Sequence, residues 1–350
     1  MAHKHIVGSI LGTAMGDAIG LPYEGLSPRR ASRLLGPPHR HRLLFGRGMV
    51  SDDTEHTCMV AQSIIASGSD VGAFQRQLSR RLRIWLLGLP AGVGSATLRS
   101  ILRLWIGFGA ERSGVFSAGN GPAMRAPIIG AAIDDLDLLR QLVRASTRIT
   151  HTDPKAEYGA LAVALSSRMA RQNETVAGSD FLDQLKASLN TDGDELVFLV
   201  GDAVDSVDSG QSTVAFADSI GLAKGVSGYV YHSVPVAIHA WLSNQRDFRT
   251  AVTQVVECGG DTDSTGAIVG GIVGASVGKD GIPSDWLDRL FEWSRTVEWM
   301  ERLAEQMESV SQSDVPVRPI GLPVYGVLPR NLFFLAVVLY HGFRRLLPPY

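Results

Sequence analysis

The sequence predicts an all-α fold built as one compact domain with a short C-terminal appendage. Three observations lead there. Apolar residues recur at three- and four-residue spacing along most of the 350 residues, the period of helices with one buried face. Strand-like alternation is scarce, and only 195–200 reads equally as strand or helix. Turn-forming clusters separate the periodic stretches: GPPHRHRLLFGRG at 36–48, AGNGP at 118–122, and the Asp-, Ser- and Gly-rich 201–213. None of them is a linker that would split the chain into halves.

In order, helices are expected over 6–20, 54–67, 71–87, 94–108, 134–149, 154–170, 180–189, 231–243, 247–257, 265–277 and 284–306. The first is an apolar run with glycine at every fourth position. The second opens at SDDT, where Asp52 as cap and Glu55 three residues later would form a capping box. The helix from 154 follows Thr152-Asp153-Pro154, a cap with proline at the first helical position. Segment 265–277 repeats the glycine spacing of the first helix, and the remaining helices rest on periodicity alone. Around 309–330 the chain turns polar and then proline-rich. The expected division is therefore a domain over 1–308, then a proline-containing arm and an apolar helix over 309–350. The simplest use of the final LFFLAVVLYHGFRRLLPPY is a helix docked on the body. A membrane-surface anchor is the other use of its apolar face and Arg344–Arg345.

Composition narrows the function classes. Hydrophobic residues are 45% and charged residues 19%, enough apolar side chain for a real core. A formal net charge of −2 gives no electrostatic footprint for nucleic acid. Two cysteines, Cys58 and Cys258, make neither a disulfide framework nor a cysteine zinc site and suit a reducing compartment. The N-terminal MAHKHIVGSILGTAMG has the outline of a signal peptide but runs into Asp17 and Glu24 without a cleavage site. The uninterrupted apolar run at 332–340 has nine residues, against the ~20 that span a bilayer. A cytoplasmic protein without a transmembrane segment is expected.

Gly8, Gly12, Gly16 and Gly20 form one stripe, and Gly266, Gly270, Gly274 and Gly278 form another. Glycine in a helix costs ~1 kcal/mol against alanine, so each stripe carries a penalty of roughly 3–4 kcal/mol. Residues four apart share a face, so each stripe is a groove into which another backbone can fit. Acids stand at the ends of both: Asp17 and Glu24 at the end of the first, Asp261 and Asp263 before the second. Taken singly, SDDT and GGDTDS are ordinary helix caps. Taken together, Ser51-Asp52-Asp53 and Asp261-x-Asp263-Ser264 each offer two carboxylates and a hydroxyl at a helix start. Crowded acids repel unless a cation neutralises them, and an all-oxygen donor set favours hard divalent ions over zinc.

Six stretches carry a resemblance to a known family: GSILGTAMGDAIGLPYEG, SDDTEHTCMVAQSI, GNGPAMRAPIIG, ITHTDPKAEYGA, GYVYHSVPVAIHAW and GGDTDSTGAIVGGIVGA. In this order, spanning residues 8–275, they resemble the ADP-ribosylglycohydrolases. The resemblance implies a compact orthogonal bundle of helices with two divalent ions, Mg²⁺ or Mn²⁺, at the base of a cleft. Carried over by position, Ser51, Asp52 and Asp53 would bind from one side, and Asp261, Asp263 and Ser264 from the other. Family members often have threonine where Ser51 and Ser264 stand, and a serine hydroxyl can coordinate equally.

Glu24 matches a family glutamate near the metals and the scissile ribose, and Asp53 is the alternative catalytic acid. Ser117, Gly119, Asn120 and Gly121 resemble the element that contacts the diphosphate, with Met124 following. His151, in ITHTDP, is expected in the substrate cleft. Arg125 is left between phosphate and a core carboxylate, and Tyr229 and Tyr231 between adenine stacking and the core. The implied activity is hydrolysis of the N- or O-glycosidic bond joining ADP-ribose to a protein side chain or a small acceptor. Cleavage of another nucleotide-linked ribose or N-glycoside is the alternative enzyme reading. A non-catalytic structural relative is the third, and the intact acid clusters argue against it.

Overall fold

In the computed structural model, which describes residues 2–189 and 193–347, two glycine-striped helices form the axis. In chain order come α1 (Ala2–Gly20), α2 (Pro28–Leu35), α3 (Asp52–Ser67), α4 (Val71–Leu87), α5 (Ser95–Trp105), α6 (Gly121–Met124), α7 (Pro127–Ala132), α8 (Leu136–Thr150) and α9 (Pro154–Gln172). There follow α10 (Gly178–Ser188), α11 (Asp194–Asp208), α12 (Thr213–Ser219), α13 (Val230–Ser243), α14 (Phe248–Glu257), α15 (Thr262–Val277), α16 (Ser284–Leu287), α17 (Val297–Ser313) and α18 (Val324–Arg344). Extended pairing among the described residues is limited to isolated bridges, so the chain is all-α. The ambiguous stretch 195–200 is helical, and α11 continues to Asp208 through residues read as loop. The helix expected over 284–306 is two, α16 and α17. Between them Glu292 and Arg295 turn inward to a buried charge network, an excursion that a continuous helix could not make.

The glycine stripes explain the axis. Methyl groups added at Gly8, Gly12 and Gly16 would overlap the carbonyl oxygens of Gly274, Gly270 and Gly266 in turn, and one at Gly20 that of Thr262. The descending partner numbers make α1 and α15 antiparallel, with backbones touching along the whole interface. Every residue of α15 is buried. Close packing over this length supplies the contacts that offset the glycine penalty. Around the pair lie α3, α7, α9, α13, α14 and α17.

The apolar run at the C-terminus belongs to a longer element than its uninterrupted core suggests. Helix α18 has 21 residues, and by length and composition its span Tyr325–Arg344 is apolar enough to cross a membrane. Only 22% of that span is buried. Its inner face sets Phe334 and Val337 against Leu21, Leu43 and Met49.

Candidate functional site

The antiparallel axis brings helix ends together. The C-terminus of α1 meets the N-terminus of α15, where the Thr262 hydroxyl donates to Gly20 O at 2.8 Å. One turn earlier on α1, Asp17 Oδ2 accepts from Ser51 N at 2.8 Å, Thr54 N at 3.3 Å and Thr54 Oγ1 at 2.5 Å. Asp17 thereby fastens the start of α3 to α1, and the N-termini of α3 and α15 converge. Helix N-termini favour negative charge through their free amides and dipoles, which is where the acids stand.

Neither acid pair is used up in capping. The cap of α3 is Ser51, whose Oγ accepts from Asp53 N at 3.4 Å and donates to Asp53 Oδ2 at 3.0 Å. Asp52 is inside the helix, and Glu55 turns away to Arg295. The capping box read from the sequence is therefore absent. Helix α15 is capped by Asp261, whose side chain makes no cap bond. Asp261 Oδ2 instead accepts from Asn120 Nδ2 at 2.7 Å.

One cleft of about 610 Å³ gathers Glu24, Asp52, Asp53, Asp261, Asp263 and Ser264 with Ser117, Gly119, Asn120, Gly121, Met124 and His151. Of the residues singled out from the sequence, Ser51 is absent from the lining and stands behind Asp53. Gly259 and Gly260 hold the rim together. Both have left-handed φ, 67° and 82°, that favours glycine. This geometry lets Gly260 pair with Leu26 and Gly25 while Val226 bonds Gly259 and Asp261, tying the Glu24 turn and the 225–228 loop to α15.

The carboxylates crowd one another without cations. Burial first, then its acidic neighbours, pushes each of Asp52, Asp53 and Asp263 well above the usual carboxylate range. Burial raises Asp17 to about 7 despite its hydrogen bonds. Glu24, exposed at the mouth, is raised by the surrounding protein and by Asp261, with Arg345 opposing. None of these acids is in a salt bridge with a described residue. Asp53 Oδ1 and Asp17 Oδ1 are buried without a partner. No three acidic, histidine or cysteine side chains among the described residues already stand in metal-holding geometry. The donor set nonetheless suits a hard cation, being all oxygen, uncompensated in charge and partly orphaned.

The other wall is polar and neutral. His151 is buried, its Nδ1 2.9 Å from Thr150 Oγ1, and its ring lies under Gly119 and Gly121. Burial, then Arg125, lowers its pKa to about 3, so its imidazole is neutral. In the Ser117–Gly121 loop two amides are already engaged, Asn120 N with Gly228 O at 2.9 Å and Gly119 N with Ser117 Oγ at 3.3 Å. Arg125 is in no salt bridge with a described residue, although the Asp52 carboxylate favours its charged form. It is fully buried and donates to Ser146 Oγ, Ser146 O and Thr150 Oγ1 at 2.8–3.0 Å. Tyr231 is buried and Tyr229 partly so, with Lys155 over both rings, and neither lines the cleft.

Two contributors are named in the sequence reading without a role in the site. Asp17 looked like one more acid near a helix end, because its partners Ser51 and Thr54 lie 34 and 37 residues away. Arg345 comes from beyond α18 and donates to Glu24 O at 2.6 Å and Pro22 O at 3.0 Å, holding the Glu24 turn from outside. No local pattern announces either contact.

Comparison with known proteins agrees with the geometry. An Archaeoglobus fulgidus protein of unstated function is 29% identical over 85% of this chain and 94% of its own length. The ADP-ribosyl-[dinitrogen reductase] glycohydrolase of Rhodospirillum rubrum is 28% identical over 82% of this chain and 90% of its own. A solved ADP-ribosylglycohydrolase-related protein complex superposes with a TM-score of 0.63 at 25% identity, covering 89% of this chain and 99% of that one. The sequence profile described as ADP-ribosylglycohydrolase matches residues 2–316, and a chain so matched, with acid-bearing helix ends meeting in one cleft, belongs to the ADP-ribosylglycohydrolase family of enzymes that hydrolyse ADP-ribose linkages.

Proposed function

We propose that this enzyme, acting in a reducing cytoplasmic compartment, uses two divalent cations, Mg²⁺ or Mn²⁺, to cleave the N- or O-glycosidic bond between ADP-ribose and a protein side chain or small acceptor. The observation that carries this reading is the convergence of uncompensated carboxylates from two helix N-termini in one cleft. Asp52, Asp53, Asp261, Asp263 and Ser264 are the proposed ligands, with Ser51 acting on or beside Asp53. Bound there, the cations would fix ribose hydroxyls, orient a water and neutralise the acid cluster.

The chain's own groups then divide the work. Departure of the acceptor leaves positive charge on the ribose, and the carboxylates around it balance that charge. Glu24, with its raised pKa at the mouth, can hold a proton for the leaving group or take one from water. Asp53, buried with a free Oδ1, is the alternative. Asn120 keeps Asp261 in place and so couples the diphosphate-side loop to the acid side. His151, neutral, can donate or accept a hydrogen bond without adding charge.

Protein purified without chelator should carry about two divalent ions per chain, and EDTA should lower both the melting temperature and hydrolysis. Arginine-linked, serine-linked and free ADP-ribose conjugates, assayed side by side, would identify the acceptor. Turnover of any of them that survives exhaustive chelation at full rate would sink the two-metal reading.

A further inference from the structure

We infer that the face built by α18 and the Leu43–Arg47 turn docks on the surface of an anionic lipid bilayer. The observation is a union of charge and apolar exposure that the catalytic reading does not use. Residues 25–51 contain six arginines and residues 315–347 three besides the buried, ion-paired Arg330, and neither segment contains an Asp, Glu or Lys. The whole chain has a net charge of −2, so this concentration is local. The two segments pack together. His341 Nε2 meets Leu43 O at 2.6 Å, Arg30 donates to Arg345 O, and a groove of about 520 Å³ between them is lined by Arg42, Arg344, Arg345 and apolar side chains with no acid.

The apolar part is displayed rather than packed. Leu339, Tyr340 and Phe343 on α18 are 50%, 67% and 67% exposed. Phe45 is 99% exposed at the tip of its turn, with a left-handed φ of 48° that an aromatic residue seldom adopts. Reciprocal bonds between Leu44 and Arg47 hold that tip, and Arg47 and Arg289 flank it. A water-exposed aromatic held in a strained turn beside arginines is suited to insertion at a lipid headgroup boundary.

The charge selects among occupants. A second copy docked through this same face about a two-fold axis would bring arginines against arginines, and nucleic acid would leave the leucine and aromatic surface uncovered. An anionic bilayer satisfies both halves, phosphates for the arginines and the acyl boundary for the apolar side chains. The helix lies on the surface rather than across it. Arg330 in its middle is locked to Glu292 inside the protein, and Asn331 Nδ2 donates to Gly88 O at 2.7 Å.

The test is co-sedimentation of the full chain with vesicles of phosphatidylcholine alone and of three parts phosphatidylcholine to one of phosphatidylserine. Binding should require the anionic lipid, weaken as salt is raised, and fall about tenfold or more in a Phe45→Glu, Leu339→Glu double variant. Both positions are solvent-exposed, so the variant should keep the parent melting temperature. If it does not, the lipid and salt dependence of the parent alone decides. Absence of binding, equal binding to both vesicles, or a dimer in light scattering that the double variant dissolves would each overturn the inference.

Discussion

Helix α3 buries acids on two sides and treats them in opposite ways. Glu55 meets Arg295 Nη1 at 2.6 Å and Arg330 Nη1 at 3.6 Å, and Arg330 also pairs with Glu292. Trp85 and Val50 N complete the donors, so two carboxylates face two guanidiniums in a closed network. Less than one turn earlier along the helix, Asp52 and Asp53 face Asp17, Asp261 and Asp263 with no ion pair to a described residue. Desolvating a charge costs several kcal/mol unless a partner repays it. The network has that partner within the chain, and the cleft lacks one. Compensation there comes from protons, as the raised carboxyl pKa values indicate, or from a cation taken from solution.

The largest effects should separate the two sites by what is lost. Asp53→Asn and Asp261→Asn keep side-chain size, and asparagine still suits a helix start. Hydrolysis of an ADP-ribosylated substrate at limiting Mg²⁺ should fall by orders of magnitude in both, because charge neutralisation and positioning fail together. Metal-free stability should hold or rise, since one member of a self-repelling cluster is gone. Retained activity in both variants would mean that these acids hold no cation the reaction needs.

Arg330→Met should do the reverse. Leaving Glu292 and part of Glu55 buried without a counter-charge should cost about 3–5 kcal/mol in denaturant unfolding. Adding Glu292→Gln should recover part of that, since the two changes share one interaction. Additive losses in the double variant would mean that Arg330 acts by packing on Phe334, whose ring it overlies at 4.5 Å.

The sequence announced one of these sites far better than the other. Glycine spacing predicted close backbone approach, and acid pairs at two helix starts predicted an oxygen-donor cluster, because each signal is local and repeated. A smaller but still large effect checks the first. Gly270→Leu should cost about 3 kcal/mol through overpacking against Gly12 O, and an unchanged melting curve would show that the backbones part easily. The closed network was invisible for the opposite reason. Its members, Glu55, Arg330 and the Glu292–Arg295 pair, come from three segments far apart in the chain, and Glu55 even imitated a capping residue. The break between α16 and α17 was missed with it, since nothing in the periodicity of 284–306 shows that Glu292 and Arg295 must point inward.

The finest test of the comparison is its pH dependence in the absence of metal. Burial raises Asp17 from an ordinary 3.8 to about 7, so the folded state binds its proton more tightly than the unfolded chain does. Its contribution to stability is therefore fully present below about pH 4 and is lost as pH rises through about 7. Asp17→Asn keeps an oxygen for Ser51 and Thr54 but has no proton to lose. In EDTA the stability of the parent relative to this variant should decline between those limits by at most about 1.4 kcal/mol per pH unit. Buried neutral histidines such as His239, lowered to about 4 by burial, destabilise in acid instead, and they cancel in the difference. Saturating Mg²⁺ should flatten the slope, because a nearby cation favours the ionised carboxylates and does for the cleft what Arg295 and Arg330 do for the network. The same slope with and without Mg²⁺ would mean that no cation comes near Asp17, and that the cleft resolves its charge with protons alone.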